Sequence, residues 1–257
     1  MRNKGRITNT KGEISKEKRY GVSVITSTNR PQFFKQLIRN FSRQQFKHKE
    51  LIVILNHDNM NLKEYRRKAG DKRIKIYKLP SKMPLGHCLN YAADQAKYGI
   101  ISKFDDDDYY GPLYLKNQLE SLVRNGADIV GKRACLIFLE GHNQLVLRYP
   151  RLQNRFVKFV AGSTLMMKRS LVKKIPFNKT SPGECVNFME RCRGTGYKIY
   201  STDYLDYVTV RRNSKRGHTW KVSDKTIKSQ SILIAKNDKN YRKYAISTNK
   251  DKIKPDL

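Results

Sequence analysis

Short apolar stretches alternate with polar turns from residue 20 to about residue 210, switching repeatedly between strand and helix periodicity. Residues 21–25 (GVSVI) are β-rich. They lead into Thr26-Ser27-Thr28-Asn29-Arg30-Pro31, a loop whose proline is placed to open a helix. Phe33, Leu37, Ile38 and Phe41 then recur at helical spacing. Residues 50–55 close in an unbroken apolar run, as expected of a strand buried on both faces of a parallel sheet. The pattern predicts a short helix over 61–69 stopped by Gly70, a strand over 74–79, and a helix from about 86 to 97 stopped by Gly99. A strand over 100–104 runs straight into Asp105-Asp106-Asp107-Asp108.

This β-α-β-α-β-α-β order predicts an α/β layer with a largely parallel sheet. Ligands of such sheets lie beyond the carboxyl ends of the strands. Residues 26–30, 56–58 and 105–108 all fall at such ends. The second half is more mixed. A helix over 114–123, two hairpin strands over 134–139 and 144–149, and a strand over 159–168 are followed by a helix over 184–193 that stops at Gly194 and Gly196. Strands at 199–200 and 207–210 complete an α+β extension able to cover one face of a cleft.

Composition adds the sign of the partner. Fifty-four Lys and Arg face 22 Asp and Glu over 257 residues, a net charge of +32. Residues 1–19, read as a flexible basic arm, hold +5, and 236–257 hold +4, so +23 lies on the patterned part. From 237 onward the chain reads as a frayed Lys/Asn-rich tail. A protein this basic attracts polyanions: nucleic acid, anionic lipid, acidic polymer or phosphorylated small molecules. No apolar run approaches the ~20 residues of a membrane-spanning helix. The N-terminal residues show no secretory signal. Cys88, Cys135, Cys185 and Cys192 form no CxxC pair, so a disulfide framework or zinc site is not expected and a reducing cytoplasm is the default.

Four adjacent carboxylates repel one another, so the chain needs a reason to keep them together. A solvated acidic turn is the plain reading of such a run. Here it follows a buried strand in a strongly basic protein, which favours a hard divalent cation, Mn2+ or Mg2+, held by one or two carboxylates and substrate phosphates.

Residues 101–112 (ISKFDDDDYYGP) look like the Asp-x-Asp segment of family 2 glycosyltransferases of the GT-A fold, and the resemblance extends across residues 20–220. Val22-Ser23-Val24-Ile25 with Asn29-Arg30-Pro31 resembles the family's first strand and loop. Gly86, Asn90, Ala96 and Gly99 resemble the helix leading into the acidic strand, and Gly162-Ser163-Thr164-Leu165-Met166 the strand near the acceptor. The aspartates followed by Tyr-Gly-Pro, with a later His-Thr-Trp, resemble the spore-maturation CgeD-like branch.

The resemblance implies an α/β GT-A (Rossmann-like, nucleotide-binding) fold with a mixed central sheet and helices on both faces. It divides the chain into a nucleotide-sugar half (20–110), an acceptor half (111–220) and a C-terminal helix and basic tail (221–257). It implies metal-dependent transfer, with inversion, of a sugar from a nucleotide-diphosphate sugar to a hydroxyl of a polysaccharide or other surface glycan. Asp107 would be the principal metal ligand. Asp105 would lie at the ribose or metal shell, with Asp106 beside it among the donor-binding residues and Asp108 orienting the site. Thr26 and Thr28 would flank the nucleotide, and Arg30 would face the pyrophosphate. His218 matches a late histidine that reaches the metal or pyrophosphate, and Trp220 would stack on sugar or nucleotide; a basic loop with Trp220 packed on the domain is the competing reading.

Two departures matter. Cys185 occupies the position of the family's carboxylate base, and a thiol near pKa 8.5 is a poor substitute. Glu184, one residue earlier, is the candidate base, although a regular helix turns it about 100° away; a simple helix N-terminal acid is its other reading. Asn56 stands where the family reads uracil with a carboxylate, and it can still donate and accept hydrogen bonds. These departures keep open a catalytically impaired GT-A domain that binds a nucleotide sugar or an anionic polymer. Nucleic acid is the less expected partner: no RNP or zinc-finger pattern is present, and the aspartates would repel phosphates without a metal. The basic surface implies an anionic acceptor polymer, or a peripheral contact with a membrane or spore surface.

Overall fold

The computed structural model describes residues 21–213 and 222–247. The basic arm 1–19, His218 and Trp220 lie outside the described residues. In chain order the strands are β1 (Val22–Thr28), β2 (Lys49–Leu55), β3 (Ile74–Lys78), β4 (Ile100–Lys103), β5 (Tyr109–Tyr110), β6 (Ile129–Gly131) and β7 (Cys135–Leu139). They continue with β8 (Gln144–Arg148), β9 (Arg155–Phe156), β10 (Met166–Lys168), β11 (Ile199–Ser201), β12 (Tyr207–Arg211) and β13 (Ser231–Lys236). One sheet has the order β3-β2-β1-β4-β10-β6-β11-β9, and the other β13-β8-β7-β12-β5. β3, β2, β1 and β4 are parallel, and β10 runs antiparallel between β4 and β6, so the larger sheet is mixed.

The apolar run of β2 is explained by burial on both faces. Leu51, Val53 and Leu55 join a core with Phe34, Leu37 and Phe41 of the helix Phe34–Ser42 and Leu115, Leu119 and Leu122 of the helix Tyr114–Arg124. Ile52 and Ile54 face the opposite core, built from Cys88, Leu89, Ala92 and Ala93 of the helix Leu85–Asp94 and Cys185, Phe188, Met189 and Cys192 of the helix Glu184–Gly194. The smaller sheet packs Ile137, Leu139 and Tyr207 into the first core. Its other face closes over Leu136, Phe138, Leu145 and Leu147. The aspartate run connects β4 of the larger sheet to β5 of the smaller one, and β5 pairs with β12.

Three expectations change. The helix predicted over 86–97 ends at Asp94, because the amides beyond it find other acceptors. Lys97 N donates to Glu50 Oε1 at 2.6 Å and Tyr98 N to Ser23 Oγ at 3.0 Å. The strand predicted over 159–168 is strand only at Met166–Lys168. Before it, Thr164 folds back on Ala161 through its amide (2.9 Å) and its Oγ1 (2.7 Å), which makes the turn Gly162–Thr164.

The third change concerns the C-terminal region. The helix Asp224–Ser229 is present, but it leads into β13, which pairs with β8, so the folded unit continues past residue 220. The segment 237–247, expected to fray, packs instead: Tyr241 stacks on Phe138 with centroids 4.5 Å apart, and Ala245 is fully buried. The Ala245 carbonyl accepts from Asp206 N at 2.5 Å. No helix among the described residues is long and apolar enough to cross a membrane. Because this segment closes the smaller sheet, Ala245→Asp is expected to lower the unfolding free energy by about 3 kcal/mol, the cost of a carboxylate forced into an apolar site. Urea denaturation followed by circular dichroism measures it, and an unchanged midpoint would show that the segment adds nothing to the fold.

Candidate active site

The loop after β4 deals with its four aspartates individually. Asp106 points inward and is buried, accepting from Thr28 Oγ1 at 2.5 Å and pairing with Arg30. Burial pushes its carboxyl above the usual range and outweighs the opposing pull of Arg30. Asp108 is also buried; Tyr207 donates to its Oδ2 at 2.5 Å and the Val210 amide to its Oδ1 at 3.1 Å. Its backbone carbonyl accepts from Gln36 and Asn40, each at 2.8 Å. Burial, then the charges of Asp107 and Asp105, hold the Asp108 carboxyl well above the ordinary range.

Asp105 and Asp107 are the two left for chemistry. The Asp105 side chain is 40% exposed and pairs with the buried Lys103. Its amide donates to Tyr110 Oη at 2.7 Å, and that hydroxyl donates on to the Ser163 carbonyl at 2.8 Å. Asp107 is held by Arg30 at 2.7 Å and faces Arg212 at 3.4 Å. Both guanidiniums pack on the Phe33 ring, at 4.7 and 4.2 Å from its centroid. Burial works against the Arg30 charge, but Asp106 and Asp107 hold its pKa above the ordinary value.

Glu184, buried in the first turn of its helix, reaches the same region. The loop before its helix is fastened to the helix Leu85–Asp94: Asn90 Nδ2 donates to Phe177 O at 2.8 Å, and Gly86 N to Thr180 O at 3.2 Å. Only glycine allows this approach at residue 86, where a Cβ would lie 1.8 Å from the Asn178 carbonyl oxygen. Gly162 makes similar room for Cys185, since a Cβ there would lie 2.9 Å from that of Cys185. The Cys185 thiol donates to Glu184 Oε1 at 3.4 Å, so the two side chains meet despite their angular offset on the helix. Burial alone would lower the Lys103 pKa, but Asp105, Cys185 and Glu184 together hold it above normal. The cluster Asp105, Lys103, Glu184 and Cys185 therefore joins the acidic loop to the start of the late helix.

The remaining expected residues divide. Thr28 belongs to the site through Asp106. Asn56 lies at the end of β2, its amide on the Thr28 carbonyl (2.8 Å) and its Nδ2 on the Pro80 carbonyl (2.7 Å). Thr26 is not brought to the cleft: it is fully buried and its Oγ1 has no hydrogen-bond partner. Lys103, Phe33, Tyr110, Tyr207 and Arg212 were not anticipated. A charged residue inside a strand predicted to be buried was the available signal for Lys103; the tyrosines and Arg212 need the pairing of β5 with β12 to be seen. As hard oxygen donors at the cleft, Asp105 and Asp107 fit a Mg2+ or Mn2+ ion completed by phosphate oxygens and water. Among the described residues, no group of three or more His, Cys, Asp or Glu converges as a complete site.

Parallel strands ending at an acidic loop, with a late helix opening opposite it, define a GT-A nucleotide-sugar-type architecture. The chain belongs to glycosyl transferase family 2, whose model matches residues 23–175. It is 32% identical over 165 residues to the O-antigen biosynthesis glycosyltransferase WbnJ of Escherichia coli, a match covering 60% of this chain and 63% of that protein. The fold superimposes on S. aureus TarS residues 1–349 in complex with UDP-GlcNAc, with a TM-score of 0.62 at 18% identity, over 79% of this chain and 61% of that one. It also matches the mannosyltransferase PcManGT of Pyrobaculum calidifontis in complex with GDP-Man and Mn2+, with a TM-score of 0.60 at 18% identity, over 77% and 58%. The chain thus spans less than two thirds of the length of these relatives.

Two measurements test the geometry. Arg30→Ala leaves Asp106 buried without its cation and is expected to cost about 2–3 kcal/mol, at the low end for a broken buried pair because Arg30 is part-exposed. Adding Asp106→Asn is expected to recover about half of that loss in urea denaturation. Burial pushes the Cys135 and Cys192 thiols up to about 11 and raises those of Cys88 and Cys185 as well. None of the four is therefore expected to react with a disulfide reagent at pH 8 within minutes, whereas all four should react in denaturant. Rapid native labelling of Cys185 would show that its thiol is an accessible nucleophile after all.

Proposed function

We propose that this protein transfers a sugar, with inversion, from a nucleotide-diphosphate sugar to a hydroxyl of a polysaccharide or other surface glycan. The observation that carries the reading is the charge cluster beyond β4, where Asp105 pairs with the buried Lys103, whose charge is also supported by Cys185 and Glu184, with Asp107 on the same loop. The two carboxylates would hold Mn2+ or Mg2+. When bound, such an ion neutralises charge on the departing diphosphate. A neighbour in complex with GDP-Man and Mn2+ and another with UDP-GlcNAc support a donor of this class.

Glu184 takes the proton of the acceptor hydroxyl as its oxygen attacks the anomeric carbon, and the bond from that carbon to the diphosphate oxygen breaks. Attack opposite the leaving group inverts the configuration. Cys185, at the family's usual base position, donates a hydrogen bond to Glu184 and so orients it without taking the proton. Arg30 lies where it can meet the leaving group's charge. The E. coli relative's role in O-antigen biosynthesis supports a surface glycan as acceptor, and the +32 charge supports an anionic one. The spore-maturation resemblance supports work at a spore surface or membrane periphery from the cytoplasmic side, in keeping with four free, buried cysteines.

Donor consumption and nucleotide binding test this reading together. Asp107→Asn is expected to weaken Mn2+-dependent nucleotide-sugar binding roughly tenfold or more. Glu184→Gln is expected to retain binding while turnover falls roughly a hundredfold. Donor binding without turnover, unchanged by Glu184→Gln, would instead identify a GT-A domain that only binds its ligand.

A further inference from the structure

The helix Phe34–Ser42 carries Gln36, Arg39 and Asn40, with Arg43 at its C-cap, at intervals of three and four residues, so the four share one face. Together with Tyr109 of β5 and Arg242 of the C-terminal segment they line a partly enclosed cleft. No acidic residue is among them. Arg43 and Arg242 both pack on the Tyr109 ring, with Cζ atoms 4.9 and 5.5 Å from its centroid. Arg30, Arg73, Arg211 and Arg212 each meet a carboxylate. Arg39, Arg43 and Arg242 have no ion-pair partner among the described residues.

Three uncompensated cations converging on one cleft from two distant parts of the chain call for an anion. Burial above all lowers the Arg43 pKa; Tyr109 opposes it, and the Arg242 charge lowers it further. The face of Tyr109 attracts both cations but carries no net charge to neutralise them. A guanidinium presents a fork of donors matched to phosphate oxygens. The cleft holds about 40 Å³. At about 10–15 Å³ per water, that is room for one small polyatomic ion rather than a nucleotide. Arg39 and Arg242 are exposed at its edge, so the phosphate of a larger molecule has a way in as well as a free ion.

We propose that this cleft binds one phosphate group, held by Arg43, Arg242 and Arg39, as a second anion site built from none of the residues assigned to the donor. Gln36 and Asn40 each donate to the Asp108 carbonyl at 2.8 Å, and Tyr109 follows Asp108 directly. The occupant therefore ties the helix Phe34–Ser42 and the C-terminal segment to the outgoing end of the acidic loop. The site stands whether or not the donor reading does.

Thermal unfolding of the full chain in inorganic phosphate, and in glycerol 3-phosphate, against chloride at equal ionic strength tests this on the wild type, Arg43→Gln and Arg242→Gln. Phosphate also stabilises folded chains by exclusion from their surfaces, and any held at the donor site acts on all three proteins alike. The cleft is therefore read as the rise in midpoint seen in the wild type beyond that of the variants. That excess is expected to be about 2–4 °C, as a site about four-fifths filled gives in a chain of this size. An excess with inorganic phosphate alone supports a site for the free ion, and an excess with the ester supports one for a phosphate carried on a larger molecule. Arg242→Gln changes an exposed side chain and carries the comparison if Arg43→Gln does not fold. A folded variant that keeps the full wild-type rise with both anions overturns the inference.

Discussion

Compensation of four consecutive aspartates is the constraint on which the rest of this structure depends. A bare run of this kind could not sit between two packed sheets, because each charge would be costly to bury and would repel its neighbours. The fold answers each one differently. Lys103 of β4 meets Asp105, Arg30 from the loop after β1 meets Asp106 and Asp107, and Arg212 from beyond β12 adds to Asp107. Asp108 is held by a tyrosine hydroxyl and a backbone amide. These partners come from both sheets, so the electrostatic solution is also a mechanical one: it ties β1, β4 and β12 together at one loop.

That solution divides the run into structural and chemical halves. Asp106 and Asp108 are buried, and their bonds fix the path of the loop. Asp105 and Asp107, alternating with them through a bend, keep more of their side chains accessible. The tyrosines extend the same logic. Tyr110 connects the Asp105 amide to the Ser163 carbonyl, and Tyr207 connects Asp108 to the Ser163 hydroxyl, so the turn beside Cys185 is fixed to the acidic loop. Cys185, bonded to Glu184 and to the Gly162 carbonyl, brings the start of the late helix onto the same turn.

The strand order and the position of the acidic loop were legible because burial on two faces leaves a clear mark: apolar runs ending at polar loops. The late segments were less so. Residues 159–165 are as apolar as a strand, but Thr164 spends its amide and hydroxyl on Ala161, and local hydrogen bonding overrides the pattern. Residues 237–247 look polar along the chain, yet Tyr241 and Ala245 pack against the smaller sheet, and the Ala245 carbonyl and Ser247 hydroxyl bond Asp206. Within the site, the acidic residues could be read from their neighbours in sequence. Their cations could not, since Arg30 and Arg212 lie 77 and 105 residues from Asp107 along the chain. The expectation of a divalent cation at the run left these internal cations out of account.

Internal compensation also sharpens what the excess charge can mean. With three cations set against three of the aspartates, and the fourth satisfied by hydrogen bonds, the loop contributes almost nothing to the net +32. The excess must lie elsewhere on the molecule. Screening at physiological salt confines an exposed charge to about 8 Å, so most of it cannot act on a donor held at the cleft. Charge spread so widely can act together only on a ligand that is itself extended. A small donor answers to Arg30 and the two half-buried aspartates, whereas the remaining basic surface is suited to a polyanionic chain or surface passing across the protein. The donor and the acceptor are thus read by separate sets of charges, and only the first set could be located from the acidic motif.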